Sequence, residues 1–367
     1  MLIHMRTQAS PQQTGAVRQF LERLGYETAP LPYLGPGVFA ALPGEDQVCL
    51  PDADPLPRLR RECQAALAIA RLEPAAAHAL TGRARRPGGT LVRVGPVAIG
   101  GEAVVVVAGP CSVESLDQLW ATAQGVKQAG AHLLRGGAFK PRTSPYAFQG
   151  LGRHGLKLLA EVGARVGMPV VTEVMSAEDV PLVADFADML QVGARHMQNF
   201  PLLKRLGTAG KPVLLKRAPS ATLDEWLGAA EYLMARGNDQ VVLCERGIRG
   251  FDAHTRNTLD LAAVAAVREL THLPVLADPS HATGRRSLIA AAARAAVAVG
   301  ADGVCIEAHI RPEESISDRE QAISPSDLAA FMPSLAAIAQ AVGRTLAGPS
   351  SLFPVPCPPY STTCRAV

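Results

Sequence analysis

VVVVAGP, residues 104–110, decides the fold. Its valines leave no polar face, so a strand built from them must be covered on both sides. Seven more short apolar runs follow: HLLRGG (132–137), PVVTEV (169–174), MLQVGA (189–194), PVLLKR (212–217), QVVLCERG (240–247), PVLADPSH (274–281) and GVCIEAHI (303–310). The segments between them are long enough for one helix each, such as Leu223 to Ala235 and Leu259 to Leu270. Doubly buried strands alternating with helices are the pattern of a parallel sheet. Eight such units predict a closed α/β barrel, a (β/α)8 TIM barrel, over residues 102–347.

Upstream, residues 1–75 read as a small α+β module. MLIHMR is a short strand. Thr14 to Leu24 has helical spacing, with Val17, Phe20, Leu21 and Leu24 on one face and Gly25 as its stop. VFAALPG (38–44) is a strand and turn, and residues 54–72 give a second, Pro-started helix followed by ALAIARL. Residues 76–101 are a linker containing RARRPGG (83–89) and a hairpin, LVRVGPVAIGG, with a Gly-Pro turn. The tail, residues 348–367, is rich in Pro and Ser and is expected to be a disordered or surface-wrapped appendage.

The composition suits a globular protein with a real core, being 48% hydrophobic and 19% charged. A net charge of +3 is too small to imply nucleic-acid or membrane binding. No apolar stretch approaches the length of a membrane span, and the opening residues lack the apolar run of a signal peptide. A cytoplasmic protein is expected. Seven irregularly spaced cysteines argue against a disulfide framework. Cys244 and Cys305 lie within apolar runs as core thiols, whereas Cys111 follows one.

Catalytic groups of TIM barrels sit at the C-terminal ends of the strands. Two sets occur there. Arg135, Lys140, Arg142, Arg195, Lys216, Arg217 and Arg246 form a cationic set. A single basic residue at a strand end is usually a solvated charge. Seven on one rim would repel one another unless anions bind there, and arginine forks grip phosphate and carboxylate. The absence of a P-loop or GxGxxG motif after the first strand argues against a nucleotide. The second set is Cys111, His281, Glu307 and Asp318. Each alone would pass as a core thiol, a hydrogen-bonded ring or a cap. Together, a thiolate, an imidazole and two carboxylates from strands one, seven and eight suit a divalent transition metal, because those strands become neighbours on closure.

These residues lie in AGPCSVES (108–115), LLRGGAFKPRTSPYAFQGLG (133–152), QVGARHMQNF (191–200), KPVLLKRA (211–218), LCERGIRGFD (243–252), TRNTLDL (255–261), LADPSHATGRR (276–286) and ADGVCIEAH (301–309). In kind and order the segments resemble the 3-deoxy-D-arabino-heptulosonate 7-phosphate (DAHP) synthases, in the single-barrel subclass with an N-terminal ferredoxin-like domain. The resemblance implies condensation of phosphoenolpyruvate with erythrose 4-phosphate, the first step of the shikimate pathway. It implies that Arg135, Lys140, Arg195, Lys216 and Arg246 hold phosphoenolpyruvate and that Arg142 and Thr143 seat the aldose phosphate. Lys140 would also carry a proton. Cys111, His281, Glu307 and Asp318 would bind a divalent metal, with Mn, Fe, Co and Zn all open. A homotetramer or homodimer is expected, and residues 1–75 would be a candidate regulatory domain with its effector open.

Departures from the family pattern are His196 for Asn, Ala218-Pro219 after Lys216-Arg217, Gly250 and Asp252 in the GIRTFE segment, and Ala308-His309-Ile310 after Glu307. They put fine substrate preference in doubt but spare every ligand and anion-binding residue named. The sister 3-deoxy-octulosonate 8-phosphate synthases, which use a five-carbon aldose phosphate, carry KANRSS where this chain has KPRTS (140–144). Metal-independent members carry Asn in place of Cys111. Two other readings compete. A Schiff-base aldolase would use Lys216 with a depressed pKa. A degenerate, non-catalytic barrel would have lost a ligand or rim cation, and none is lost.

Overall fold

A computed structural model describes residues 1–44, 55–73, 76–140 and 146–347. The expected tail therefore lies outside the described residues. The N-terminal module comprises β1 (Leu2–Met5), β2 (Tyr26–Pro30), β3 (Val38–Pro43) and β4 (Ile69–Glu73), with helices at Pro11–Arg23 and Leu56–Glu62. The sheet order is β2-β3-β1-β4, and every pairing is antiparallel. That is the ferredoxin-like arrangement. Strand β2 is absent from the sequence reading: YETAP is short, half-exposed and lacks apolar alternation. The first helix starts where Ser10 and Gln13 form a capping box and Pro11 fills the first turn, whose N–H would otherwise be unpaired.

Alternation along the strands gives this sheet two buried faces. Ile3, Met5, Phe39 and Ala41 pack on Val17, Phe20, Leu21 and Leu59 of the helices. Leu2, Val38 and Ala40 face the other way and join the core that surrounds the barrel. Tyr33 Oη donates to the Met234 carbonyl at 2.8 Å, and Glu27 of β2 pairs with Arg236 of the barrel. The module is thus packed onto the barrel as well as tethered to it.

A hairpin of β5 (Val92–Val94) and β6 (Val97–Ile99) precedes eight parallel strands. These are β7 (Ala103–Gly109), β8 (Leu133–Arg135), β9 (Val170–Val174), β10 (Met189–Val192), β11 (Val213–Lys216), β12 (Val241–Glu245), β13 (Val275–Ala277) and β14 (Gly303–Glu307). Each pairs with the next, and β14 pairs with β7 from Gly303↔Val105 to Glu307↔Gly109, closing the barrel. Closure makes the first, seventh and eighth strands neighbours. Inward residues such as Val105, Val107, Leu133, Val171, Leu214, Val242, Cys244, Leu276 and Cys305 share one core with Val92, Val94, Val97 and Ile99. The hairpin therefore plugs the end where the strands begin. A further short strand, β15 (Thr345–Leu346), lies beside the start of β7. Two residues carry no periodicity, so the sequence could not announce it.

Candidate active site

At the opposite end, the strands deliver charged residues into a cavity of about 380 Å³. Its lining includes Arg135, Lys140, Arg195, Lys216 and Arg246 of the expected cationic set, together with His281 and Asp318. Gly109 makes the join between the first two strand ends possible: at φ +152°, a Cβ there would lie 2.1 Å from the Arg135 carbonyl. Gly193 likewise leaves room for Glu173, whose Oε1 would be 2.1 Å from an added Cβ.

Arg217 does not face the cavity. It donates to Glu245 Oε2 at 2.9 Å, Asp260 Oδ2 at 3.1 Å and the Ala221 carbonyl at 3.0 Å, with its guanidinium over Trp226. Successive strand residues face opposite sides, so Lys216 points in and Arg217 out. Arg142 and Thr143 lie outside the described residues. Arg249 and Arg256, from the loop after β12, line the cavity instead and went unassigned in the sequence. Glu173 also lines it and accepts from Gln191 Nε2 at 3.2 Å. As a strand-end residue it was visible in the sequence, but without a partner motif. His196 is absent from the lining and belongs to the turn Ala194–His196.

Cys111, Glu307 and Asp318 place ligand atoms within 4.8 Å of one another. Cys111 Sγ lies 3.3 Å from Asp318 Oδ2 and 3.1 Å from Ser317 Oγ, and Lys140 Nζ donates to it at 2.9 Å. Burial, reinforced by Glu307, pushes the thiol up to about 12. Asp318 has a φ of 52°, a left-handed conformation uncommon for a residue with a side chain.

His281 lies beside this group, with Nε2 3.2 Å from Glu307 Oε1. Its Nδ1 meets Asp278 Oδ2 at 2.7 Å, so the proton on Nδ1 is donated there. Burial outweighs both carboxylates and holds the ring below its usual pKa, toward neutral. The lone pair on Nε2 then faces a carboxylate oxygen. Glu307 is fully buried, and burial alone would raise its pKa; the positive charge facing it, that of His281 when the ring is protonated and that of Arg135 throughout, outweighs burial and holds it below the usual range. Its Oε1 has Arg135 at 3.1 Å but accepts no aligned hydrogen bond. Between His281 Nε2 and Glu307 Oε1, electron pairs face each other with no aligned hydrogen bond, an arrangement a cation would relieve.

Asp278 was missed as a functional residue, although it stands three positions before His281 in the same quoted segment. It also receives Lys216 Nζ at 2.6 Å. Burial would lower the Lys216 pKa; the Asp278 charge prevails and raises it above its ordinary value. A lysine held charged by a buried carboxylate is the wrong amine for a Schiff base, so that reading loses its physical basis.

Residues 82–343 match the model of the DAHP synthetase I family. A phospho-2-dehydro-3-deoxyheptonate aldolase of Thermotoga maritima is 47% identical over 264 residues, covering 72% of this chain and 78% of that protein. A 2-dehydro-3-deoxyphosphooctonate aldolase of Acidithiobacillus ferrooxidans is 33% identical over 231 residues, covering 58% and 81%. The crystal structure of the Thermotoga maritima DAHP synthase superposes with a TM-score of 0.73 at 37% identity, covering 94% of this chain and 99% of that one. A truncated form of the DAHP synthase from the same organism gives 0.70 at 42% identity, covering 74% and 100%.

Proposed function

This chain belongs to the DAHP synthetase I family, and we propose that the strand-end cavity is where it carries out the family's reaction. Phosphoenolpyruvate, erythrose 4-phosphate and water give DAHP and inorganic phosphate. Carbon 3 of the enol attacks the aldehyde carbon, forming the new C–C bond. Water adds to the cationic carbon 2, and the C–O bond to phosphate then breaks, leaving a ketone.

The side chains divide as follows. Arg135, Lys140, Arg195, Lys216 and Arg246 grip the carboxylate and phosphate of phosphoenolpyruvate, and Arg142 with Thr143 seats the aldose phosphate. Lys140 is the proton carrier. Cations already fixed by the fold offset the repulsion between two approaching anions without reorganising at the moment of reaction. The observation that carries this reading is the convergence of Arg135, Lys140, Arg195, Lys216 and Arg246 on one cavity beside the Cys111, Glu307 and Asp318 group.

The donor set fits a divalent transition metal of mixed softness. Cys111, His281, Glu307 and Asp318 would hold it. Buried lone pairs that face one another support this, and Mn, Fe, Co and Zn all suit a thiolate, an imidazole and two carboxylates. Bound there, the ion would supply Lewis-acid polarisation of the aldehyde oxygen. A homotetramer or homodimer is the assembly proposed.

Phosphate release measured with phosphoenolpyruvate and either erythrose 4-phosphate or a five-carbon aldose phosphate tests this division. The four-carbon substrate is expected to be strongly preferred. Preference for the five-carbon one would overturn the assignment of the aldose site.

A further inference from the structure

Glu307 and Asp318 each have two oxygens, and the fold treats the two differently. Glu307 Oε1 faces His281 Nε2, and Asp318 Oδ2 faces Cys111 Sγ. The remaining oxygens are held from behind. Glu307 Oε2 accepts from Gln321 Nε2 at 2.6 Å, and Asp318 Oδ1 lies 3.4 Å from Arg256 Nη1. The same Arg256 nitrogen donates to Gln321 Oε1 at 3.0 Å.

Chemistry fixes the direction of this chain. A guanidinium only donates and a carboxylate only accepts. The Gln321 amide can therefore sit only one way round, oxygen to Arg256 and nitrogen to Glu307. Both residues are anchored. Gln321 is buried, and its backbone N–H donates to the Asp318 carbonyl at 3.1 Å. Arg256 and Asn257 donate their backbone N–H groups to the carbonyls of Thr283 and Ala282, on the short helix that carries His281. Arg256 thus ties the loop after β12 to the helix after β13 through its backbone N–H and to the loop after β14 through its guanidinium.

We infer that Arg256 and Gln321 form a positioning pair that selects which oxygen of each carboxylate a bound divalent metal meets. The pair engages Glu307 Oε2 and Asp318 Oδ1, which leaves Glu307 Oε1 and Asp318 Oδ2 turned toward Cys111 and His281. Without it, either carboxylate is free to rotate and present the other oxygen. Outer partners of this kind orient ligands and tune metal affinity. The inference rests on the metal-binding reading given above.

The test uses the full chain, freed of metal and titrated with Co2+ in the absence of substrates, following the thiolate-to-cobalt charge-transfer band. The natural sequence should bind with a clear band. Gln321→Leu removes both bonds and should weaken binding by about 10–100-fold. Gln321→Glu separates positioning from simple anchoring, because it keeps the bond to Arg256 but loses the donor to Glu307. It should weaken binding as much as Gln321→Leu, with unchanged near-UV circular dichroism. Arg256→Ala should weaken it by about tenfold. The Arg256 side chain is 38% exposed, so this variant remains informative even where a buried replacement disturbs folding. Unaltered Co2+ affinity in Gln321→Glu and Arg256→Ala, against a natural sequence that shows the band, would overturn the positioning pair alone. No band in the natural sequence would overturn the metal reading and the pair with it.

Discussion

At the foot of the barrel, where the strands begin, Val92, Val94, Val97 and Ile99 close the opening with apolar side chains. At the mouth, Arg135, Lys216, Glu307 and Asp278 are about as deeply buried, yet all four are charged groups. Two polar side chains near the foot, His272 and Glu231, are matched. His272 Nε2 donates to the Leu80 carbonyl at 2.7 Å, so its Nδ1 accepts from Thr90 Oγ1 at 2.7 Å. Glu231 accepts three hydrogen bonds from Leu80 and Thr81. At the mouth, Arg135 Nε and Glu307 Oε1 are buried without an aligned partner. Unmatched buried polar atoms cost stability, and these two lie where the proposed substrate and metal would supply a partner. The foot stabilises the barrel, and the mouth keeps its chemistry incomplete.

Substitutions should separate the two ends. Cys111→Ser should have the largest effect, lowering activity at limiting metal by more than about a hundredfold, beyond the usual range for an outer partner. The hydroxyl will not ionise near neutral pH. Thermal unfolding should be nearly unchanged, and full activity at limiting metal would remove Cys111 from the site. Next, Arg246→Ala should raise KM for phosphoenolpyruvate by about 10–100-fold, the value of a lost hydrogen bond to a charged group. Arg142→Ala should do this for the aldose phosphate instead. Equal losses for both substrates in both variants would show that the cations are not divided between two anions.

At the foot the signature should reverse. Ile99 is fully buried, and Ile99→Ala should lower unfolding free energy by about 2–5 kcal/mol while leaving kcat/KM unchanged. A fall in kcat/KM without a fall in stability would mean that the plug controls the mouth. Smallest of all, Tyr33→Phe removes one bond between the N-terminal module and the barrel. It should cost about 1 kcal/mol in denaturant unfolding, with no change in turnover. A loss of several kcal/mol would make that contact a principal anchor.

The same contrast explains what was legible in the sequence. Barrel strands were readable because both faces are buried, so apolar residues run without interruption. The mouth was readable at strand ends, where position alone nominates a residue. Legibility failed where a role depends on a partner distant in sequence. Gln321 and Arg256 are ordinary polar residues until Glu307 and Asp318 are placed beside them. Asp278 reads as a helix cap, which it also is, accepting from the His281 N–H at 2.9 Å. Arg217 was legible in principle, since strand alternation sends it away from Lys216, but charge alone grouped the two. Strand β2 escaped because YETAP ends in proline and carries no alternating apolar pattern.

Completion of the mouth by a divalent metal at Cys111, His281, Glu307 and Asp318 is the proposal on which the contrast between the two ends depends. Its most direct test is phosphate release from phosphoenolpyruvate and erythrose 4-phosphate before chelation, after chelation, and after return of Mn2+ or Co2+. Activity should disappear with chelator, return with metal in the natural sequence, and fail to return at the same metal concentration in Cys111→Ser. Full turnover in a protein shown to be metal-free would contradict the account.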